Sequence, residues 1–136
     1  MSDNTDAQRS IAATLRQPES APFQTAAAEG RFVIPRCQHC KQAHWYPRAL
    51  CPFCFSSDIQ WEQASGRGSI YTYTVMRRAK PAYAVGYVQL EEGPILMTNI
   101  TGGSFDDLRI GMPVVASFEP AANGTLVPMF SPAPAA

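Results

Sequence analysis

Surplus charge is the first thing missing from this chain: 11 lysines and arginines stand against 11 aspartates and glutamates. A protein that grips nucleic acid without regard to sequence draws its affinity from cations laid over phosphates, so this balance argues against that class. Long apolar runs are also missing. None approaches the ~20 residues that carry a helix across a bilayer, so no membrane span is expected. The opening segment Met1-Ser2-Asp3-Asn4-Thr5-Asp6 is polar and acidic. It has neither the basic flank nor the apolar core of a secretory leader, and a cytoplasmic location is the expectation. Histidine is scarce, with only His39 and His44, and no internal repeat is visible.

The 4 cysteines are few but tightly ordered, as Cys37-x2-Cys40 and Cys51-x2-Cys54. Each pair can put two thiolates on one metal ion, and the ten-residue spacer lets the second pair fold back onto the first. In a cytosolic protein thiols stay reduced, which favours metal over two disulfides. The expected site is a closed tetrahedral centre, most simply structural Zn2+. Iron would occupy the same four sulfurs in a rubredoxin-like electron carrier. Four sulfurs saturate the ion, so His39 is expected to face solvent and no coordination position is left for substrate. With all four cysteines committed and both histidines in the same short module, no catalytic constellation is visible, and no residue is assigned a catalytic role.

The sequence divides into three parts. Residues 1–19 have weak periodicity and read as a flexible or partner-ordered arm, with Ile11 and Leu15 suited to a turn or two of helix. Residues 20–64 hold a short helix and the cysteine module. Ser20 is placed to cap the helix, Pro22 to sit in its first turn and Gly30 to end it in a left-handed conformation. A strand over Arg31–Pro35 leads into the first cysteine pair, and Ser56–Trp61 leads out of the second. This arrangement is a zinc ribbon, too small to fold without its metal.

Residues 65–136 switch to a period of two. Strands are expected over Ile70–Met76, Tyr83–Leu90, Pro94–Ile100, Met112–Phe118 and Thr125–Phe130. Asn123-Gly124 signals a two-residue hairpin between the last two. Five short strands, with a longer break between the third and fourth, fit an OB-fold barrel. The fold class is therefore mainly β with a short N-terminal helix, a rubredoxin-like zinc ribbon and a five-stranded OB barrel. Alternation puts Tyr71 and Tyr73 on one face of a strand, as it does Tyr83 and Tyr87. Such rings could stack bases, but a half-buried barrel wall is the simpler reading.

The ordered set of local features resembles the DUF35 family. The set comprises Ala28-Glu29-Gly30-Arg31, Arg36-Cys37-Gln38-His39-Cys40, Tyr46-Pro47-Arg48 before Cys51-Pro52-Phe53-Cys54, and Trp61. It continues with Ser65-Gly66-Arg67-Gly68-Ser69-Ile70-Tyr71-Thr72-Tyr73-Thr74-Val75, Gly111-Met112-Pro113-Val114 and Pro128-Met129-Phe130. Lys41 stands where the family often has a glycine, and Phe23-Gln24 where its helix often carries Phe-Trp. The resemblance implies a non-catalytic accessory subunit of a thiolase-like enzyme working on a CoA thioester by acyl transfer, thiolysis or retro-aldol cleavage. It also implies a hetero-oligomer with that partner, and a CoA or acyl-CoA groove near the join of ribbon and barrel.

Trp45, Tyr46, Arg48, Ser65 and Arg67 are the candidate contacts to CoA, acyl-CoA or the partner. His44, Trp45 and Tyr46 make an aromatic tip that can stack a ring or pack onto the ribbon. The guanidinium groups of Arg48 and Arg67 can grip a phosphate, or simply balance the negative charge of a thiolate cluster. Ser65 opens a glycine-rich entry to the barrel that lacks the spacing of a phosphate-binding loop. Two other classes stay open at this point, a single-stranded nucleic-acid module and the rubredoxin-like carrier.

Overall fold

The computed structural model describes residues 10–12 and 17–134. Most of the expected N-terminal arm, Leu15 included, lies outside the described residues. Within them, Ile11 is irregular and half-buried, and its carbonyl accepts the Ala122 N–H at 3.0 Å. No helix among the described residues is long and apolar enough to cross a membrane.

A 3-10 turn at Pro18–Ser20 runs into helix α1, Ala21–Ala28. Ser20 does not cap α1 through its side chain. Its hydroxyl donates instead to the Gln17 carbonyl at 3.0 Å, because the preceding turn already holds Ser20 in a helical conformation. The other end behaves as the sequence suggests. Gly30 has φ 78°, its N–H reaches the Ala27 carbonyl at 2.9 Å, and the Arg31 N–H reaches Ala26 at 2.9 Å. This is a Schellman cap, which needs a left-handed residue and so a glycine.

The chain then forms β1 (Val33–Cys37) and, beyond the cysteine module, β2 (Ile59–Gln63). They pair antiparallel from Val33↔Gln63 to Cys37↔Ile59. Both strands lie a little later than the sequence pattern places them. β1 ends on the first cysteine itself, so the ribbon's ladder delivers Cys37 directly to the metal centre.

Five strands complete the molecule: β3 (Arg67–Met76), β4 (Tyr83–Leu90), β5 (Ile95–Ile100), β6 (Pro113–Pro120) and β7 (Leu126–Pro132). They close into a barrel in the order β3-β4-β5-β7-β6, with β6 returning to β3. The closure between β5 and β7 is parallel and consists of a single pair, Ile100↔Phe130. Inward residues such as Ile70, Val88, Leu96, Ile100, Val114 and Phe130 are buried, and the same apolar cluster extends to Phe23, Phe32 and Ile34 of the helix and ribbon. Barrel and ribbon therefore share one core.

Two local expectations change. Tyr71 and Tyr73 do not share a face: the register steps from Ile70↔Val88 to Thr72↔Tyr87, so Tyr71 is the extra residue of a β-bulge. The bulge inverts the alternation, leaving Tyr71 exposed while Tyr73 turns inward and donates its hydroxyl to the Leu108 carbonyl at 2.7 Å. The Asn123-Gly124 hairpin is not a two-residue loop. Gly124 N–H meets the Ala121 carbonyl at 2.9 Å and Ala121 N–H meets Thr125 at 2.7 Å, with Gly124 at φ 84°. That is a three-residue connection with glycine in the left-handed position of a bulge.

Candidate functional site

The two cysteine pairs adopt matching turns. Lys41 N–H closes on the Cys37 carbonyl at 3.0 Å and Phe55 N–H closes on Cys51 at 2.9 Å. Lys41 and Phe55 follow their second cysteines at φ 68° and 65°. Inside each turn, backbone N–H groups point at sulfur: His39 and Cys40 to Cys37 Sγ at 3.3 and 3.4 Å, and Phe53 to Cys51 Sγ at 3.4 Å. Across the turns Cys37 Sγ lies 3.6 Å from Cys54, and Cys40 Sγ 3.6 Å from Cys51, with all four sulfurs within 4.8 Å of one another. A tetrahedron with zinc–sulfur bonds of about 2.3 Å has edges of roughly 3.8 Å. The donor set and its spacing fit one divalent ion held by four thiolates, and zinc suits four soft ligands in a closed tetrahedron.

The thiols differ sharply. For Cys37 the Cys40 N–H, opposed by burial and joined by the His39 N–H, brings the pKa down from 9.0 to about 6. For Cys54 the Ser56 N–H pulls down, but burial and the hydrogen bonds with Cys37, Cys40 and Cys51 prevail and push it up to about 12. His39 is exposed and lies outside the sulfur cluster.

The tip between the pairs does not present three rings to solvent. His44 is only 2% exposed, and its ring nitrogens have no hydrogen-bond partner among the described residues. Burial, then the charge of Arg48, holds its pKa below the ordinary value, which keeps the imidazole neutral. Trp45 packs inward and meets Phe23 of α1 at 5.1 Å between ring centroids. Phe23 also contacts Phe32 at 5.7 Å and Phe118 of β6 at 5.9 Å, and Phe32 meets Phe130 of β7 at 6.1 Å. One aromatic cluster thus fastens helix, ribbon tip and barrel together. The sequence singles out Trp45 as a candidate contact but assigns no packing role to Phe32, Phe118 or Phe130. Tyr46 alone of the tip stays half-exposed, at 51%.

The remaining candidate residues lie apart. Trp45 and Tyr46 line a cavity of about 650 Å³, whereas Arg48, Ser65 and Arg67 do not line it. Arg48 is exposed near His44. Ser65 donates its N–H to Glu92 at 2.8 Å, and Arg67 begins β3 opposite Val115.

The cavity runs between α1, the tip and the barrel wall where β5 and β7 splay apart. Its walls include Phe23, Gln24, Met97, Thr98, Thr125 and Pro128, and no lysine, arginine, aspartate or glutamate. On the β7 side three carbonyls face the gap and each has a donor. Gln24 Nε2 donates to Leu126 at 3.1 Å, Thr98 Oγ1 to Pro128 at 3.1 Å and the Thr101 N–H to Phe130 at 2.8 Å. The hydroxyl of buried Thr125, also in the lining, has no partner among the described residues. Sequence reasoning missed Gln24 and Thr98 because a polar residue in a helix or strand reads as a solvated one; only the β5–β7 split gives them a task.

A sulfur-stapled ribbon fused through a shared core to an OB barrel defines a class of protein, and comparisons agree. Residues 24–60 match the family model of the ChsH2 rubredoxin-like zinc ribbon domain, and residues 61–119 that of the ChsH2 C-terminal OB-fold domain. The chain belongs to this DUF35 family. Among solved structures it superposes on a chain of the "Ltp2-ChsH2(DUF35) aldolase" with a TM-score of 0.77 and 34% identity, covering 88% of this chain and 98% of that one. A "Probable enoyl-CoA hydratase alpha subunit" of Thermomonospora curvata is 40% identical over 113 residues. That match takes in 79% of this chain but only 35% of the relative. A "DUF35 domain-containing scaffold protein" of Pyrococcus furiosus is 36% identical over 84 residues, 55% of this chain and 61% of the relative. The chain therefore spans about a third of the first curated relative and under two thirds of the second.

Proposed function

We propose that this chain is a non-catalytic accessory subunit that binds a thiolase-like enzyme acting on CoA thioesters, by acyl transfer, thiolysis or aldol cleavage. The observation that carries the reading is the likeness, over 98% of its length, to the DUF35 chain of an aldolase. The naming of a relative as an enoyl-CoA hydratase subunit agrees with a CoA-thioester setting.

The closed sulfur centre supports the same reading. Bound zinc supplies folding energy and, fully ligated, no Lewis-acid site. The chain's own residues do the rest: the four cysteines set the ribbon's shape, and the Phe23–Trp45 contact aims its tip at the cavity. The partner supplies nucleophile and acid–base groups, and this chain stabilises the partner and helps bind acyl-CoA. The uncharged cavity suits a neutral portion of a ligand; exposed Arg48 and Arg67 are the candidates for its phosphates.

Co-expression with a candidate thiolase-like protein from the same organism tests the reading. A stable complex, with partner activity lost when this chain is withheld, is the expected result. No complex, together with full partner activity alone, overturns it.

A further inference from the structure

We propose that the partner subunit sits on the outer face of strands β3, β4 and β5, and that its matching surface is apolar with carboxylates at one rim. The proposal rests on the accessory-subunit reading and names the surface by which the subunit would engage.

Burial alternates strictly along β4 and β5, so every second side chain points out of the barrel. From Ser69 onward, no outward position of β3, β4 or β5 holds a charged residue. The face carries large apolar groups instead: Tyr71 is 56% exposed, Tyr87 44%, Met97 64% and Ile95 38%. These groups are neighbours. Tyr87 pairs with Met97 across the β4–β5 ladder, and Tyr71 is the extra residue of the bulge opposite Tyr87. Re-aiming a side chain is what a bulge does, and this one turns the Tyr71 ring outward. A sheet face that met only water would be dressed in polar and charged side chains. Tyrosine and methionine in place of lysine and glutamate is the composition of an interface core.

One rim of the face is basic. Arg78 and Lys80 stand exposed in the β3–β4 connection with no ion pair among the described residues, while Arg77 is taken by Asp106 at 3.3 Å. An apolar centre with cations at its edge calls for a protein whose own apolar patch is bordered there by carboxylates.

Other occupants fit worse. Barrels of this kind often bind oligonucleotides on the face of their second and third strands, here β4 and β5, but a phosphate backbone needs cations among the rings and none lies there. A second copy is too small a cover. The face measures roughly 14 by 20 Å, or about 300 Å², against about 800 Å² on each side of a stable interface. Two convex barrel walls touch along a strip, so a copy would bury less still. A partner of another shape can reach further, because the face runs without a charge into the cavity, whose lining includes Val85, Met97 and Asn99. A subunit seated here would roof the cavity beside Tyr46.

Charge planted on the face tests this. Tyr87→Glu and Met97→Glu lie at exposed positions and should leave the circular dichroism and metal content as in the parent. Each should weaken binding of the full chain to the co-expressed thiolase-like protein about thirtyfold or more. Ser117→Glu, at an exposed position of β6, should bind as the parent does. Folded face variants that keep the parent's affinity overturn the proposal and leave the accessory-subunit reading standing. A parent chain that forms no complex sinks that reading, and the proposal with it. Hydroxyl-radical footprinting needs no variant: oxidation of Tyr87 and Met97 should fall severalfold in the complex, and unchanged oxidation overturns the proposal. Sedimentation of the free chain should show a monomer. A dimer that Tyr87→Glu splits would give the face to a second copy and overturn the proposal. Binding of mixed-sequence single-stranded DNA that Tyr87→Glu abolishes would do the same.

Discussion

Lys41 and Phe55 carry the strain of the metal turns. Both hold a left-handed backbone, at φ 68° and 65°, in positions where the Cβ of an L-residue crowds the following carbonyl. Replacing Lys41 with glycine should raise the stability of the metal-loaded protein by about 0.5–1 kcal/mol, since relief of crowding exceeds the added freedom of the unfolded chain. Thermal melts of Lys41→Gly and the parent check this, and an unchanged or lower midpoint would count against it. At this scale the sequence speaks unevenly. The cysteines announce themselves by spacing and Gly30 by following a helix. The φ of Lys41 shows only through the family resemblance, in which a glycine often stands at this position; lysine itself reads as an ordinary surface residue. His44 is hidden, as nothing in its neighbours distinguishes a buried imidazole from an exposed one.

Elements are joined by rings. Phe23 meets Phe32, Trp45 and Phe118 at centroid separations of 5.7, 5.1 and 5.9 Å, and is only 3% exposed. Phe23→Ala should cost about 3–5 kcal/mol through lost contacts and the void left behind. Denaturant titration measures that loss, and the exposed Trp45 should shift its fluorescence to the red; a cost below 1 kcal/mol would mean that the cluster collapses around the gap. The barrel strands were legible because alternation of apolar and polar residues is the physical signature of a half-buried sheet. The bulge at Tyr71 was not, since an extra residue leaves composition untouched and reveals itself only through the pairing of Ile70 and Thr72 with Val88 and Tyr87. The β5–β7 split escaped for the same reason: strand order is a property of pairing.

The described residues form one core with a four-sulfur metal site at its edge. A structural zinc contributes on the order of 10 kcal/mol to so small a unit, whereas the barrel has Ile70, Val88, Leu96 and Phe130 of its own. Stripping the metal with a chelator should release the amides of β1 and β2 to exchange while β3–β7 stay protected. Restoring zinc at pH 7.5 should expel protons. In the loosened ribbon the thiols return toward the ordinary cysteine value of about 8.5, so most must surrender a hydrogen to become ligands. Affinity therefore climbs as the solution becomes more alkaline, and calorimetry in buffers of different ionisation enthalpy counts the protons. A ribbon that keeps its protection without metal would contradict this account.

The sulfur spacing carries a hazard as well. In the folded turns Cys37 Sγ lies 3.6 Å from Cys54 Sγ, and Cys40 Sγ 3.6 Å from Cys51 Sγ. A two-electron oxidant such as peroxide would stitch one turn to the other rather than close either upon itself. The oxidised ribbon would refuse the ion until a thiol reductant reopened the bridges, so a preparation left in air could look pure and be empty of metal.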